Sequence, residues 1–205
     1  MKKFTRAIAV SSFVLLAAFV IAQVGKSSLV DQWEEVEEAT KKGLPKTAIE
    51  KLAPLIDRAL KEKAYPEAIR AIAQRINLRG AIEGNKPEEK IVRMEVEIGK
   101  APKEMAPMMN AVLANWYWQY FQRNRWRFTQ RTRTAEAPGD DITTWDLPRI
   151  LSEIDKQFQK TLAHEEILKK TAIGGYDFLI QMGTVPDSYR PTLFDFVAHD
   201  ALRFY

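Results

Sequence analysis

Apolar residues recur along this chain at three- and four-residue steps, and sustained two-residue alternation is absent. That period places apolar side chains on one face of a helix rather than on one face of a strand. Asn-Gly and Asp-Gly hairpin dipeptides are missing as well. The pattern predicts an all-α chain of antiparallel helical hairpins, arranged as a tetratricopeptide-like array or as an irregular bundle. Short connections force consecutive helices to pack antiparallel.

The first helix is expected from Ser28, an N-cap residue type, to about Lys42, with Leu29, Trp33, Val36 and Ala39 or Thr40 as its stripe. Gly43 supplies a left-handed stop, and Leu44-Pro45 restarts the chain. The second stripe is Ala48, Ile49, Leu52, Ile56, Ala59 and Leu60, with Pro54 expected to kink or shorten its helix. Tyr65-Pro66 opens a third helix whose face is Ala68, Ile69, Ile72, Ala73 and Ile76. Gly80, Gly84, Asn85 and Pro87 mark a break. A fourth helix reaches about Lys100 and carries Ile91, Met94, Val96 and Ile98. A fifth starts at Pro102 and runs through Met105, Met108, Met109, Val112 and Leu113 into Trp116, Tyr117, Tyr120 and Phe121.

Residues 124–147 read as irregular, dividing the helical domain into 28–123 and 148–205. Beyond them a sixth helix is expected to about His164, with Ile150, Leu151, Ile154, Phe158 and Leu162. A turn at Gly174-Gly175 and a loop at Pro186 precede a last helix on Leu193, Phe194, Val197, Ala201 and Leu202. Leu44-Pro45-x-x-Ala48-Ile49 is echoed by Tyr65-Pro66-x-Ala68-Ile69, the kind of recurrence that helix-hairpin repeats show. The pattern is still apolar and helical at Tyr205, which reads as a chain that continues.

Ahead of these helices, Lys2, Lys3 and Arg6 precede an apolar run from Ala7 to Ala22. This is the layout of a secretory signal peptide over residues 1–22, with cleavage after Ala22 and a helical domain over 23–205. The run sits at the short end of spanning length, so an uncleaved anchor is the alternative, and contact with a membrane depends on it. The chain has no cysteine. A lipid anchor at this terminus, disulfide staples and thiol chemistry are therefore all excluded. Lys and Arg number 31 against 27 Asp and Glu. Three of those cations lie in the leader, leaving 28 against 27, so an exported domain would be nearly neutral. That balance gives no support to nucleic-acid binding. The expected location is exported: periplasmic, cell-surface or secreted.

The richest segment is Trp116-Tyr117-Trp118-Gln119-Tyr120-Phe121-Gln122-Arg123-Asn124-Arg125-Trp126-Arg127-Phe128. Rings on every side of a helix are the mark of burial, with the arginines stacked on them or paired with Asp140, Asp141 or Asp146. Arginine and aromatic residues also dominate protein interfaces. The candidate protein-binding surface is accordingly Trp116, Tyr117, Tyr120, Arg123, Arg125, Trp126 and Arg127; a free-standing helical-repeat adaptor would place residues such as Tyr117, Tyr120, Arg123 and Arg127 along a concave groove. Catalytic machinery is not expected. His164 and His199 lack a zinc-protease spacing, no Gly-x-Ser-x-Gly elbow or glycine-rich phosphate loop occurs, and Met105, Met108 and Met109 read as core. Asp140-Asp141 offer too few oxygens for calcium and read as a capping turn. No cofactor and no metal is expected.

Several strings resemble the N-terminal helical region of large bacterial alpha-2-macroglobulin-like proteins. Among them are Gly43-Leu44-Pro45-Lys46-Thr47-Ala48-Ile49, Asn85-Lys86-Pro87-Glu88-Glu89-Lys90-Ile91, Trp116-Tyr117-Trp118-Gln119-Tyr120-Phe121 and Arg190-Pro191-Thr192-Leu193-Phe194-Asp195-Phe196. The resemblance extends over nearly all of residues 23–205. It implies a non-catalytic head that precedes β-sandwich domains of a protease trap and acts through protein contacts. Its partner is then either a separate protein or downstream domains of the same polypeptide. Many relatives of that kind are lipid-anchored and some carry a Cys–Gln thioester. This chain departs from both patterns, having no cysteine. The alternative is a free-standing exported helical-repeat adaptor for a protein or peptide.

Overall fold

The computed structural model describes residues 28–130, 139–176, 179–180 and 184–205. The signal-peptide reading of residues 1–22 lies outside them. Among the described residues the chain is all-helical, and its one extended contact is an isolated antiparallel bridge between Ala172 and Thr192. Eight α-helices follow in order: α1 Leu29–Lys41, α2 Pro45–Lys61, α3 Tyr65–Ile82, α4 Pro87–Lys100, α5 Ala106–Gln130, α6 Leu147–Leu162, α7 Glu165–Leu168 and α8 Leu193–Phe204.

The first four helices pack in sequence, each on the next. Ser28 starts α1 through a capping box: its hydroxyl accepts from the Asp31 amide at 3.1 Å, and the Asp31 carboxylate accepts from the Ser28 amide at 2.6 Å. Three successive helices then end the same way. Gly43 sits at φ 68°, Lys63 at φ 56° and Gly84 at φ 96°. The following amide turns back to the carbonyl five residues earlier: Leu44 to Ala39 at 3.0 Å, Ala64 to Ala59 at 2.9 Å and Asn85 to Gly80 at 2.6 Å. This is the Schellman closure of a helix C-terminus, and it satisfies carbonyls that would otherwise lack partners. A proline then occupies the first turn of each following helix, where its missing N–H costs nothing.

The expected stripes of α1, α2 and α3 lie on the buried faces, with Leu55 added in α2 and Ala71, Leu78 and Gly80 added in α3. Pro54 does not shorten α2, which runs unbroken to Lys61. Pro54 lies on the exposed face, so the carbonyl it leaves without an amide faces water. Gly80 is not a break either: it is inside α3, which continues to Ile82. In α4 only Ile91 and Met94 are buried, whereas Val96 is exposed because it follows Met94 by two positions and so points away from the core.

The C-terminal part is organised around α5. Its neighbours are α4 on one side and α6 and α8 on others, with α6 and α8 also touching each other. Asp146 caps α6 by accepting from the Arg149 amide at 3.0 Å, and Thr192 with Asp195 forms a second capping box at α8. At the end of α8 the Phe204 ring meets Trp118 edge-on at 5.7 Å and Phe158 at 5.7 Å. Leu202, expected in the α8 stripe, faces solvent instead. The segment read as irregular begins later than expected. Residues 124–130 continue α5, held by the Asn124 amide bonding the Tyr120 carbonyl at 2.8 Å and by the fully buried Phe128. Residues 131–138 lie outside the described structure, and a short 3-10 turn at Ile142–Thr144 leads to α6. One contiguous set of buried residues extends from Trp33 to Ala201.

Candidate functional site

The aromatic segment of α5 does two separate jobs, because successive residues of a helix point in different directions. One face is core. Tyr117 is buried, stacks on Trp145 with the rings 7° from parallel, and donates its hydroxyl to Glu95 Oε1 at 2.9 Å. Burial, and then the Glu95 charge, hold this phenol far above its ordinary pKa, so it stays a hydrogen-bond donor. Burial likewise raises the Glu95 carboxyl, opposed by the bond from Tyr117.

The other face lines a groove. Trp116, Gln119, Tyr120 and Arg123 stand at positions i, i+3, i+4 and i+7, so one side of α5 presents them together. Asn77 of α3 and Lys90 of α4 form the facing wall, and the hollow between them has a volume of about 450 Å³. Asn115 and Asn124 add two more amides. Among the described residues no carboxylate lines this groove.

Three of the lining groups are held from behind. The Trp116 indole N–H donates to the Leu179 carbonyl at 3.1 Å, which pins the ring at the groove's edge. The Asn115 amide donates to the buried Asp200 carboxylate at 3.0 Å. Burial raises the Asp200 carboxyl, and the bond from Asn115 works against that rise. The Arg127 guanidinium donates to the Tyr120 hydroxyl and lies over the rings of Tyr120 and Phe128 at 5.5 Å and 5.1 Å. Arg127 therefore supports the groove from outside its lining.

Lys90 owes its place to a glycine. A Cβ built at Gly80 would lie 3.1 Å from Lys90 Cε and 3.7 Å from its Cγ. The lysine stem crosses α3 over the bare backbone of Gly80 and brings its ammonium to the groove. A glycine inside a helix costs about 1 kcal/mol relative to alanine, and here close packing of a side chain accounts for it. Burial, and then the charge of Arg123, lower the Lys90 pKa below its usual value. The residues that sequence reasoning missed, Asn77, Gly80, Lys90 and Asn115, come from three helices with no local motif. The four-residue polar and aromatic stripe on α5 was the one available signal.

The predicted surface residues therefore separate. Trp116, Tyr120 and Arg123 line the groove; Tyr117 turns into the core; Arg127 braces Tyr120; Arg125 and Trp126 are exposed beyond it, Trp126 at 65%. Asp140 and Asp141 form the expected turn, with Asp141 accepting from the Thr143 amide at 2.9 Å and its hydroxyl at 2.7 Å. His164 is exposed, and His199 has a buried Nδ1 with no hydrogen-bond partner among the described residues. Among the described residues no group of three His, Asp or Glu side chains is placed to hold a metal ion, and no helix is long and apolar enough to cross a membrane. Comparison with protein families, curated proteins and solved structures gives no match to this chain.

Proposed function

We propose that this chain is an exported, non-catalytic helical module that works through protein contacts, as the N-terminal accessory region of a bacterial alpha-2-macroglobulin-like protease trap. The groove between α3, α4 and α5 supports this reading more than any other feature. It places aromatic edges, primary amides and cations side by side on rigid helices, the mixture that protein interfaces favour. Its partner is a polypeptide segment, either from downstream domains or from a separate protein. The string resemblance carries the family part of the proposal.

A free-standing helical-repeat adaptor is the second reading. The recurrence of one helix ending at Gly43, Lys63 and Gly84 favours it, since stacked hairpins reuse a single turn solution. One experiment separates the two. The DNA beyond codon 205 is read, and any longer product is made with and without residues 28–205 and challenged with a protease. The accessory reading expects strand-rich sequence downstream and protease capture that survives the deletion. A stop codon in an intact gene favours the adaptor, and loss of capture on deletion contradicts an accessory role.

A further inference from the structure

Asn77 on α3 and Gln119 on α5 stand on opposite walls of the groove, and neither side chain makes a hydrogen bond among the described residues. The other two amides are already engaged, Asn115 with Asp200 and Asn124 with the Tyr120 carbonyl. Lys90 adds an ammonium whose stem lies over Gly80, and among the described residues no carboxylate pairs with it. Arg123 is exposed and already has a partner, so it takes no part in the contact.

A primary amide both donates and accepts hydrogen bonds. An anion would use only the donors and leave both amide carbonyls idle. The backbone of an extended polypeptide uses both kinds of group, because its N–H and C=O bonds point sideways along each edge of the segment. A segment laid between α3 and α5 meets Asn77 along one edge and Gln119 along the other. Its side chains alternate between the floor of the groove and solvent. The half-buried Trp116 ring, pinned by the Leu179 carbonyl, gives the inward ones an apolar surface.

We infer that the groove grips the backbone of an extended polypeptide, with Asn77 and Gln119 each pairing with a peptide group on opposite edges of the segment and Lys90 donating to one of its carbonyl oxygens. This rests on the reading of the groove as a protein-contact site and adds how the segment is recognised: by its backbone rather than by its charge. The volume of about 450 Å³ suits a short stretch of extended chain rather than a folded surface. Peptide groups are alike from residue to residue, so many sequences are accepted and proline is refused wherever its missing N–H is needed. The glycine at position 80 gains a purpose as well, since Lys90 reaches the groove across it.

The test is a titration of the nitrogen-15-labelled full chain with an end-blocked peptide of three Ser-Val repeats, followed by nuclear magnetic resonance. The side-chain amide signals of Asn77 and Gln119 should shift saturably, with a Kd below about 1 mM. The same peptide with alternate backbone nitrogens methylated keeps its side chains and loses N–H donors, and it should bind at least about tenfold more weakly. Asn77→Leu, Gln119→Leu and Lys90→Met should each weaken the parent peptide by about fivefold without moving the thermal midpoint appreciably. Gly80→Ala, which crowds the lysine stem and keeps its charge, should weaken it about twofold to threefold. Gln122→Leu, which removes an exposed amide of α5 outside the groove, should leave binding unchanged.

Equal affinity for the methylated peptide would overturn backbone recognition, yet leave the protein-contact reading standing. Equal loss from Gln122→Leu would place the contact outside the groove and overturn the inference. Free glutarate shifting the same two signals at lower concentration would make this a small-anion site and overturn it too. A chain whose amide signals do not respond to the peptide sinks backbone recognition, and the protein-contact reading then answers to cross-linking from the groove.

Discussion

The α1–α3 hairpins and the α5 helix solve the same problem of burial in opposite ways. In α1 and α2 a single stripe faces the core and the other side faces water, α3 is buried more widely between α2 and α4, and all three helices end in one repeated turn. In α5 neighbours lie on several sides, and most of its positions from Pro107 to Phe121 are buried. A one-sided helix declares its core by period alone. A helix surrounded on several sides has no stripe to read, so the residue-by-residue difference between core and groove comes from its neighbours.

The sharpest way to break that contrast is a pair of aromatics two positions apart. Phe128 is fully buried and Trp126 is 65% exposed, although the sequence around them alternates arginine and aromatic without distinction. Phe128→Ala should cost about 3–5 kcal/mol, whereas Trp126→Ala should stay within about 0.5 kcal/mol, by urea denaturation. Equal costs would show that the end of α5 is packed differently. On the one-sided helices, Leu52→Ala at a fully buried position of α2 should cost about 2–5 kcal/mol. A value under about 1 kcal/mol would mean that the α1–α3 layers contribute little to the fold.

Smaller effects probe the shared turn. Gly43 and Lys63 adopt the same left-handed conformation, one with a side chain and one without. Gly43→Ala should lose about 1–2 kcal/mol, and Lys63→Gly should gain up to about 1 kcal/mol. A gain from Gly43→Ala, or a loss from Lys63→Gly, in thermal unfolding would show that the two turns are not equivalent.

The smallest expected effect is a change in pH dependence at the back of the groove. Burial raises the folded-state pKa of Asp200 above its unfolded value, with the Asn115 bond opposing. The folded state therefore binds that proton more tightly. Its contribution is fully present below the unfolded pKa and is lost as pH rises through the folded one. Asp200→Asn should flatten the fall in stability across that acid range. Parallel curves for the two proteins would contradict the assignment.

Much of the fold was legible because helix caps and stops are local. Ser28, Gly43, Pro45, Pro66 and Pro87 announce their roles within a few residues. Misreadings arose where a local rule met a tertiary context. Pro54 does not shorten α2, since its side of the helix is wet, and Gly80 marks no break because Lys90 packs on it. Val96 and Leu202 are apolar residues on exposed faces, which no stripe rule forbids. The groove was half-visible. Trp116, Tyr120 and Arg123 stood out as a cluster, but Tyr117 could be assigned to the core only through Glu95 and Trp145, which lie far away in sequence. Lys90 and Asn77 are ordinary surface residue types until α3 and α4 bring them opposite α5.

The central claim is that the groove face of α5 receives a protein segment. A photoreactive phenylalanine analogue at Gln119, inside the groove, is compared with the same analogue at Asp57, exposed on α2. Both chains are produced in the native host and irradiated, and adducts are identified by mass spectrometry. The account predicts discrete polypeptide adducts from position 119 and none from position 57. Equal adducts from both positions, or adducts from position 57 alone, would contradict it.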